Sequence, residues 1–401
     1  MRREDRLRVA VVGGGIGGLT AALALDRAGI EVDVYEQGDA FTEVGAGVTL
    51  GPNALRLVHR LGLERQIEAI ATWPRGYELR RWHDGHVIIE THSSGPLRGW
   101  KSVTLHRGHL LKVLEESVPR SRLHPGKRCT GVEERNREVV VSFQDGSQAA
   151  ADVVIGADGI HSAVRACYHR DQPVFSGTIA YRGLIPLERL PSLDREREQL
   201  TFWLGPRQHF LTFPVASGSL LNLVAFVPAD GTWAEESWTA PGSVDALAEQ
   251  FEGWVPPVLD VVRALDGTMR WALYDREPLP AWSFGRVTLL GDAAHAMLPH
   301  QGQGAGQSVE DAVFLARCLA RAGIDTVPEW LRLYERVRKP RTEQVQQASR
   351  RTGEIYRLED PEEQERRAPS MLQTRGDWLW NYDADAAFEQ AVGAEGTIGW
   401  S

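Results

Sequence analysis

Three cysteines in 401 residues, Cys129, Cys167 and Cys318, include no Cys-x-x-Cys pair. That scarcity argues against a disulfide framework and against a thiolate zinc site, so each thiol reads as a small packing residue. No His-Glu-x-x-His segment is present, and no metal is expected. Cationic surplus is also missing: 45 Lys and Arg against 54 Asp and Glu leave a formal charge of −9, which makes nucleic acid an unlikely default partner. No apolar run is long enough to cross a bilayer, so no integral membrane association is expected. The basic start before Val9–Val12 is broken too soon by glycines to form a signal peptide. A reducing cytoplasm is the expected compartment. The hydrophobic content of 42% and charged content of 25% fit an ordinary soluble protein with room for one large or two medium domains.

Glycine, by contrast, is plentiful and clustered. Leu7 to Val12 reads as a strand, Gly13-Gly14-Gly15-Ile16-Gly17-Gly18 follows at once, and the Ala-rich run to Ala28 is a good helix ended by Gly29. A second strand, Glu31–Glu36, comes next. Gly13, Gly15 and Gly18 therefore sit in the strand–turn–helix context that makes a dinucleotide fingerprint credible. In it, a pyrophosphate lies on the helix start at Ile16, and Glu36 holds ribose hydroxyls. The fingerprint alone does not separate FAD from NAD.

Two further glycine-rich units follow at a distance. In Asp152–Arg165 a short buried strand ends at Gly156-Ala157-Asp158-Gly159, with Asp158 on the ligand side and Arg165 as its possible ion-pair partner. In Gly285–Ala312 a strand over Val287–Leu290 ends at Gly291-Asp292, where a carboxylate can accept hydrogen bonds from a sugar-like hydroxyl. Beyond Pro299 come Gly302, Gly304 and Gly306, which let the backbone approach a flat ligand. A helix starting near Gln307 offers N–H groups to negative charge. Between these units, the loop through Val44, Gly45, Gly47 and Val48 can pass beside a ring system, with Asn53 as a helix-start residue. Arg107, ahead of a helix over Leu110–Ser117, can neutralise a cofactor phosphate.

The remaining chain has other periodicities. Residues 76–91 alternate like sheet, and Thr178–Leu187, Leu200–Leu204, His209–Pro214 and Ser219–Phe226 are short strand-like pieces of a mostly antiparallel sheet. Leu247–Leu265 reads as helix interrupted at Trp254–Pro257. Val309–Arg321 and Val327–Ile355 are helical, and the cations Arg336, Arg338, Lys339, Arg341 and Arg350 read as a solvated face. Glu359–Arg367 reads as mobile, while Trp378, Trp380 and Tyr382 suggest a tail folded back onto the body.

The whole string resembles the single-component FAD-dependent aromatic hydroxylases of the para-hydroxybenzoate hydroxylase group, with the salicylate-hydroxylase-like enzymes as the nearest flavour. The resemblance rests on Gly13–Gly18 with Glu36, Asp158-Gly159, Trp203-Leu204-Gly205-Pro206, Gly291-Asp292 and its long continuation, and Tyr334-Glu335 with Arg338 and Arg341. It implies an α/β fold: a Rossmann-like FAD-binding domain from residues 1–75, 101–172 and 283–355, an inserted substrate domain from 76–100 and 173–282, and a helical tail over 356–401. It implies tight non-covalent FAD, NADH or NADPH as transient co-substrate, and O₂ as oxidant. Asp292 would bind the ribityl chain, and the backbone at Gly304, Ala305 and Gly306 would meet the pyrimidine edge. Asp158 would serve flavin or hydride-donor binding.

The expected partner is a small aromatic substrate, and the expected assembly is a monomer or homodimer. In this chemistry a phenol is activated by losing its proton, which calls for a base near the hydroxyl and donors near a carboxylate. His300, in Pro299-His300-Gln301-Gly302, is the first candidate base, with an ordinary pKa of about 6.5. The resemblance makes His295 a scaffold or cofactor-side residue. Arg182, Arg207, His209 and Phe226, with Pro299, are the candidate substrate contacts, their facing direction depending on strand register. The leading expectation is salicylate converted to catechol with loss of carbon dioxide. Ring hydroxylation of 3-hydroxybenzoate or a larger phenol, an epoxidase or urate-type oxidase, and a non-enzymatic flavin-binding protein are the alternatives.

Overall fold

The computed structural model describes residues 6–41, 46–92, 102–191, 193, 198–229, 240–373 and 377–395. Val44 and Gly45 of the second glycine-rich stretch, residues 93–100 of the expected substrate-domain segment 76–100 and the last six residues of the tail lie outside the described residues.

Strand Arg8–Val12 has Val153–Gly156 on one side and Glu31–Tyr35 on the other, both parallel to it. Val287–Leu289 and Leu123–His124 extend the sheet in parallel, and Ser283–Phe284 closes one edge antiparallel. Val9, Val11, Val153, Val154, Ile155, Val287 and Leu289 are all buried, as expected of strands covered on both faces. Helices Ile16–Arg27 and Gly304–Arg321 pack on one another. Val12, Tyr35 and Leu290, at or just past the carboxyl ends of three of the strands, line one cavity, where an open parallel sheet carries its ligand.

A second sheet of eight strands runs in the order Ala240–Gly242, Thr268–Asp275, Val174–Pro186, Leu220–Pro228, Gln208–Val215, Leu200–Gly205, Gly76–Arg81, Val87–His92. It is antiparallel except where Leu200–Gly205 runs parallel to Gly76–Arg81. On one face Trp203, Phe210, Leu223 and Ala225 pack with Leu247, Val258 and Val262 of two short helices, Val244–Gln250 and Pro256–Arg263, and with Phe251, which ends the first. The opposite face turns Arg182, Val224, Leu211 and Phe202, one cross-strand row, into the cavity. The architecture is thus α/β, a Rossmann-like sheet drawn from distant segments beside a mostly antiparallel sheet, with helices at the C-terminal end.

Several elements differ from the sequence expectation. Asn53 does not cap a helix: the helix is Pro52–Val58, and Asn53 is wholly buried. Its amide donates to Glu310 at 2.6 Å and Gln303 at 3.0 Å. Residues 361–367 form a helix rather than a mobile run. Gln364 donates to the Gly205 carbonyl at 3.2 Å, and Glu365 pairs with Arg81. The long helix Val327–Tyr356 has no uniformly solvated cationic face, for Arg338 and Arg341 are buried.

Candidate active site

One cavity of about 1030 Å³ runs from the glycine-rich turn to the face of the large sheet, at the upper end of the roughly 300–1,000 Å³ common for ligand sites. Its first half is built by backbone. Gly13 adopts φ +108°, and a Cβ there would stand 2.3 Å from the Ala157 carbonyl oxygen, so only glycine fits. Gly15 lines the cavity, and a Cβ on it would meet nothing within 4 Å. The helix that starts at Ile16 has no side-chain cap, so its first N–H groups remain for an anion. Glu36 accepts from the N–H of Gly14 at 2.7 Å and of Gly38 at 2.8 Å, one on each carboxylate oxygen. Asp292 stands exposed to the cavity after Gly291, and the uncapped helix Gly304–Arg321 brings Gly304 and Ala305 to the wall. Gly47, Val48, Arg107, Asp158 and Pro299 complete this half.

These groups suit a flavin dinucleotide: open backbone where a pyrophosphate passes, two helix starts, and carboxylates placed for sugar hydroxyls. Two of the expected contacts, Gly18 and Gly306, do not line the cavity. A Cβ on Gly18 would fall 1.9 Å from the Gly13 carbonyl oxygen, which makes it a strand–helix packing residue away from the cavity lining. Gly306 packs against Gln303 and is likewise not in the lining.

Asp158 faces the cavity, but its carboxylate is spent locally. It accepts from Ser162 Oγ and from the N–H groups of Ala163 at 2.7 Å and Val164 at 3.2 Å. Burial raises its pKa, and those donors oppose the rise. The expected partner Arg165 turns elsewhere, to Asp171 and to the Ala293 carbonyl at 3.0 Å.

The other half of the cavity is aromatic. His300 lies with its ring centroid 5.6 Å from His209, 5.7 Å from Phe226 and 5.4 Å from Tyr356, and His209 stacks between Phe226 and Tyr356 at 4.2 and 3.9 Å. The long helix holds the loop that carries His300: Ser349 donates to the Leu298 carbonyl, Gln301 to Thr352 at 2.6 Å, and Gln346 to the Ala296 carbonyl at 2.9 Å. Gly353 gives the ring its place, since a Cβ there would stand 2.7 Å from His300 Cδ2. The expected near-neutral imidazole is corrected: burial, with the Arg357 cation adding to it, lowers the His300 pKa to about 3. Burial lowers His209 well below its ordinary value too. Both rings are neutral near pH 7.

Arg182 reaches the cavity, its guanidinium carbon 3.8 Å over the Trp271 ring. Arg207 does not: it sits at a hairpin tip with φ +62°, more than half exposed, facing Glu359 at 3.5 Å. As the turn residue between Leu200–Gly205 and Gln208–Val215, it is not among the residues lining the cavity. His295 is scaffold, 2.6 Å from Asp311 in full burial. Sequence reasoning missed Tyr356, Trp271 and Trp380 in the cavity wall. Tyr356 ends a helix read as solvated, and only the spacing of Thr352, Gly353 and Tyr356 on one helical face carried a signal.

Below the flavin loop lies a buried ionic cluster. Arg338 donates to Glu310 at 2.6 Å and to Asp311 at 2.8 Å, and Arg341 donates to Glu310 at 2.7 Å. Burial pushes both carboxyls up, but Arg338 and Arg341 hold Glu310 below its ordinary range, and His295 and Arg338 bring Asp311 down to about 2.

The family described as FAD binding domain matches residues 6–349. A 3-amino-4-hydroxybenzoate 2-monooxygenase of Streptomyces platensis is 42% identical over 387 residues, covering 95% of this chain and 97% of the relative. A salicylate hydroxylase of Pseudomonas putida is 40% identical over 426 residues, covering 98% and 96%. The solved structure of a salicylate hydroxylase substrate complex superposes with a TM-score of 0.83 at 35% identity, over 97% of this chain and 98% of that one. Family and near relatives alike span the glycine-rich turn, Asp158, Asp292 and the His300 loop, and the chain belongs to the FAD-dependent aromatic hydroxylases, flavoprotein monooxygenases that use NAD(P)H and O₂.

Proposed function

We propose that this monooxygenase hydroxylates a small phenolic aromatic acid, with salicylate converted to catechol and carbon dioxide as the leading reaction. The observation that carries the reading is a single cavity in which the flavin loop, an aromatic box and one stacked arginine face each other. Bound FAD supplies hydride acceptance from NAD(P)H and the activation of O₂. Around it, Glu36 and Asp292 would hold sugar hydroxyls, the helix starts at Ile16 and Gly304 would receive anionic oxygens, and Arg107 would neutralise the cofactor's phosphates.

The acceptor ring packs against Phe226 and His209. Arg182, its guanidinium carbon 3.8 Å over the Trp271 ring, is the cation at the cavity wall for the substrate carboxylate. His300 is neutral, so it accepts a hydrogen bond from the phenolic hydroxyl. It takes the proton as phenolate forms, since the new anion stabilises the imidazolium that burial alone disfavours. The apolar wall keeps water from the reacting centre.

A second reading, ring hydroxylation of 3-amino-4-hydroxybenzoate without decarboxylation, is favoured by the 42% identity to the Streptomyces platensis enzyme. The test is acceptor-stimulated NADH and NADPH oxidation by the purified yellow protein, with product mass and carbon dioxide recorded. Salicylate giving catechol and one carbon dioxide supports the leading reaction. A coupled gain of one oxygen on the aminohydroxybenzoate, with salicylate inert, establishes the second. No stimulation by any phenolic acid overturns both.

A further inference from the structure

Trp380, on the short tail helix Asp377–Trp380, is half-buried and lines the flavin cavity together with Gly51, Gln303 and Gly304. Its indole Nε1 stands 3.4 Å from where a Cβ on Gly51 would be. The tail is held there by cations that bind its carbonyl groups. Arg341 donates to the carbonyls of Trp378 at 2.9 Å and Leu379 at 3.0 Å, and Arg56 donates to that of Trp380 at 2.8 Å. Arg341 also lies 3.7 Å over the Tyr382 ring, and Arg60 pairs with Asp383 at 2.7 Å.

One of those cations is shared with the flavin loop. The same Arg341 donates to Glu310 through Nε at 2.7 Å and Nη2 at 2.8 Å. Glu310 accepts from Asn53 at 2.6 Å, and Asn53 donates to Gln303, the residue before the helix that brings Gly304 and Ala305 to the wall. A continuous set of buried hydrogen bonds thus joins the tail carbonyls to the corner of the cavity where Trp380 stands. Arg56, on Pro52–Val58, ties the tail to the helix that begins beside Gly51.

We propose that the C-terminal tail is a built wall of the FAD site, with Trp380 as a positioning residue against bound cofactor, so that tail seating and FAD retention are coupled. The coupling is reciprocal by linkage: whatever FAD gains from the seated tail, the tail gains from FAD. An indole in contact with the cofactor also quenches flavin emission, which gives a signal independent of turnover.

The experiment compares wild type with Trp380→Ala, Trp380→Phe and Arg56→Gln, each prepared as apoprotein and titrated with FAD, with circular dichroism to verify folding. Trp380→Ala is expected to weaken FAD binding on the order of tenfold, the scale of one lost aromatic packing contact, and to brighten bound flavin. Trp380→Phe should restore most of the affinity, and Arg56→Gln should weaken it with Trp380 intact. Chymotrypsin should cut the wild-type tail within residues 378–382 faster in the apoprotein than in the FAD-loaded protein. Unchanged affinity and flavin emission in Trp380→Ala would overturn the contact. Equal cleavage rates with and without FAD would overturn the coupling, whichever way the variants fold.

Discussion

His300 is a buried imidazole without a charge, and its surroundings explain why. His209, Phe226 and Tyr356 enclose it, Arg357 repels a proton from it, and the pKa falls to about 3. Replacing it with asparagine keeps a hydrogen-bonding group of smaller size and removes the proton acceptor. We expect His300→Asn to lower acceptor-dependent turnover about 100-fold, the low end of general-base contributions, while FAD binding measured by titration is retained. Unchanged turnover would remove His300 from the chemistry.

The same burial has a cost in acid. His209 and His300 are both depressed in the folded chain, whereas an unfolded imidazole titrates near about 6.5. Between that value and the folded pKa the unfolded chain binds protons that the folded chain refuses, so stability falls as pH drops. Each ring contributes a slope approaching about 1.4 kcal/mol per pH unit well below pH 6.5. Urea midpoints measured from pH 7 to pH 5 should decline, and His300→Asn should flatten the decline. A slope equal to wild type in that variant would refute the assignment.

At the scale of elements, the helix Gly304–Arg321 and the long helix Val327–Tyr356 are joined by charge inside the core. Arg338 is wholly buried between Glu310 and Asp311. Removing one partner of such a cluster leaves uncompensated carboxylates, a loss of about 3–5 kcal/mol. Arg338→Met should lower the unfolding free energy from denaturant titration by that amount, and a change no larger than that of an exposed Arg332→Met control would show that the cluster contributes little.

This is also where the sequence was hardest to read. A run of arginines in a polar helix has the composition of a solvated face, and the carboxylates that bury them lie on another helix. Asn53 was hidden for the same reason, since its partners Glu310 and Gln303 are remote in the chain. Gly13 and Gly291, by contrast, announced their turns directly, because their backbone conformation admits little else.

For the whole molecule, the parallel sheet and its ligand edge were legible because glycine-rich turns follow apolar strands in order. The direction of the substrate wall was not, because a shift of one residue in register exchanges the two faces. Arg182 and Arg207 are both candidates in the sequence, with Arg207 as readily a turn residue. Pairing Arg182 with Val224 puts the first in the cavity, while the hairpin tip takes the second out of it.

The order of the parallel sheet has a temporal consequence. Val9 must pair with Val153, and Val154 with Val287, so the central strand made first waits for partners made much later. At roughly 5–20 residues per second, a ribosome needs on the order of ten seconds or more to deliver Val287 after Val9. During synthesis the amino-terminal strand therefore keeps an open hydrogen-bonding edge until Val153 emerges, and the strand Val153–Gly156 then keeps one until Val287 does, an interval in which the nascent chain is exposed to aggregation. Chaperone demand in the cell should be set by that interval and not by the stability of the finished fold.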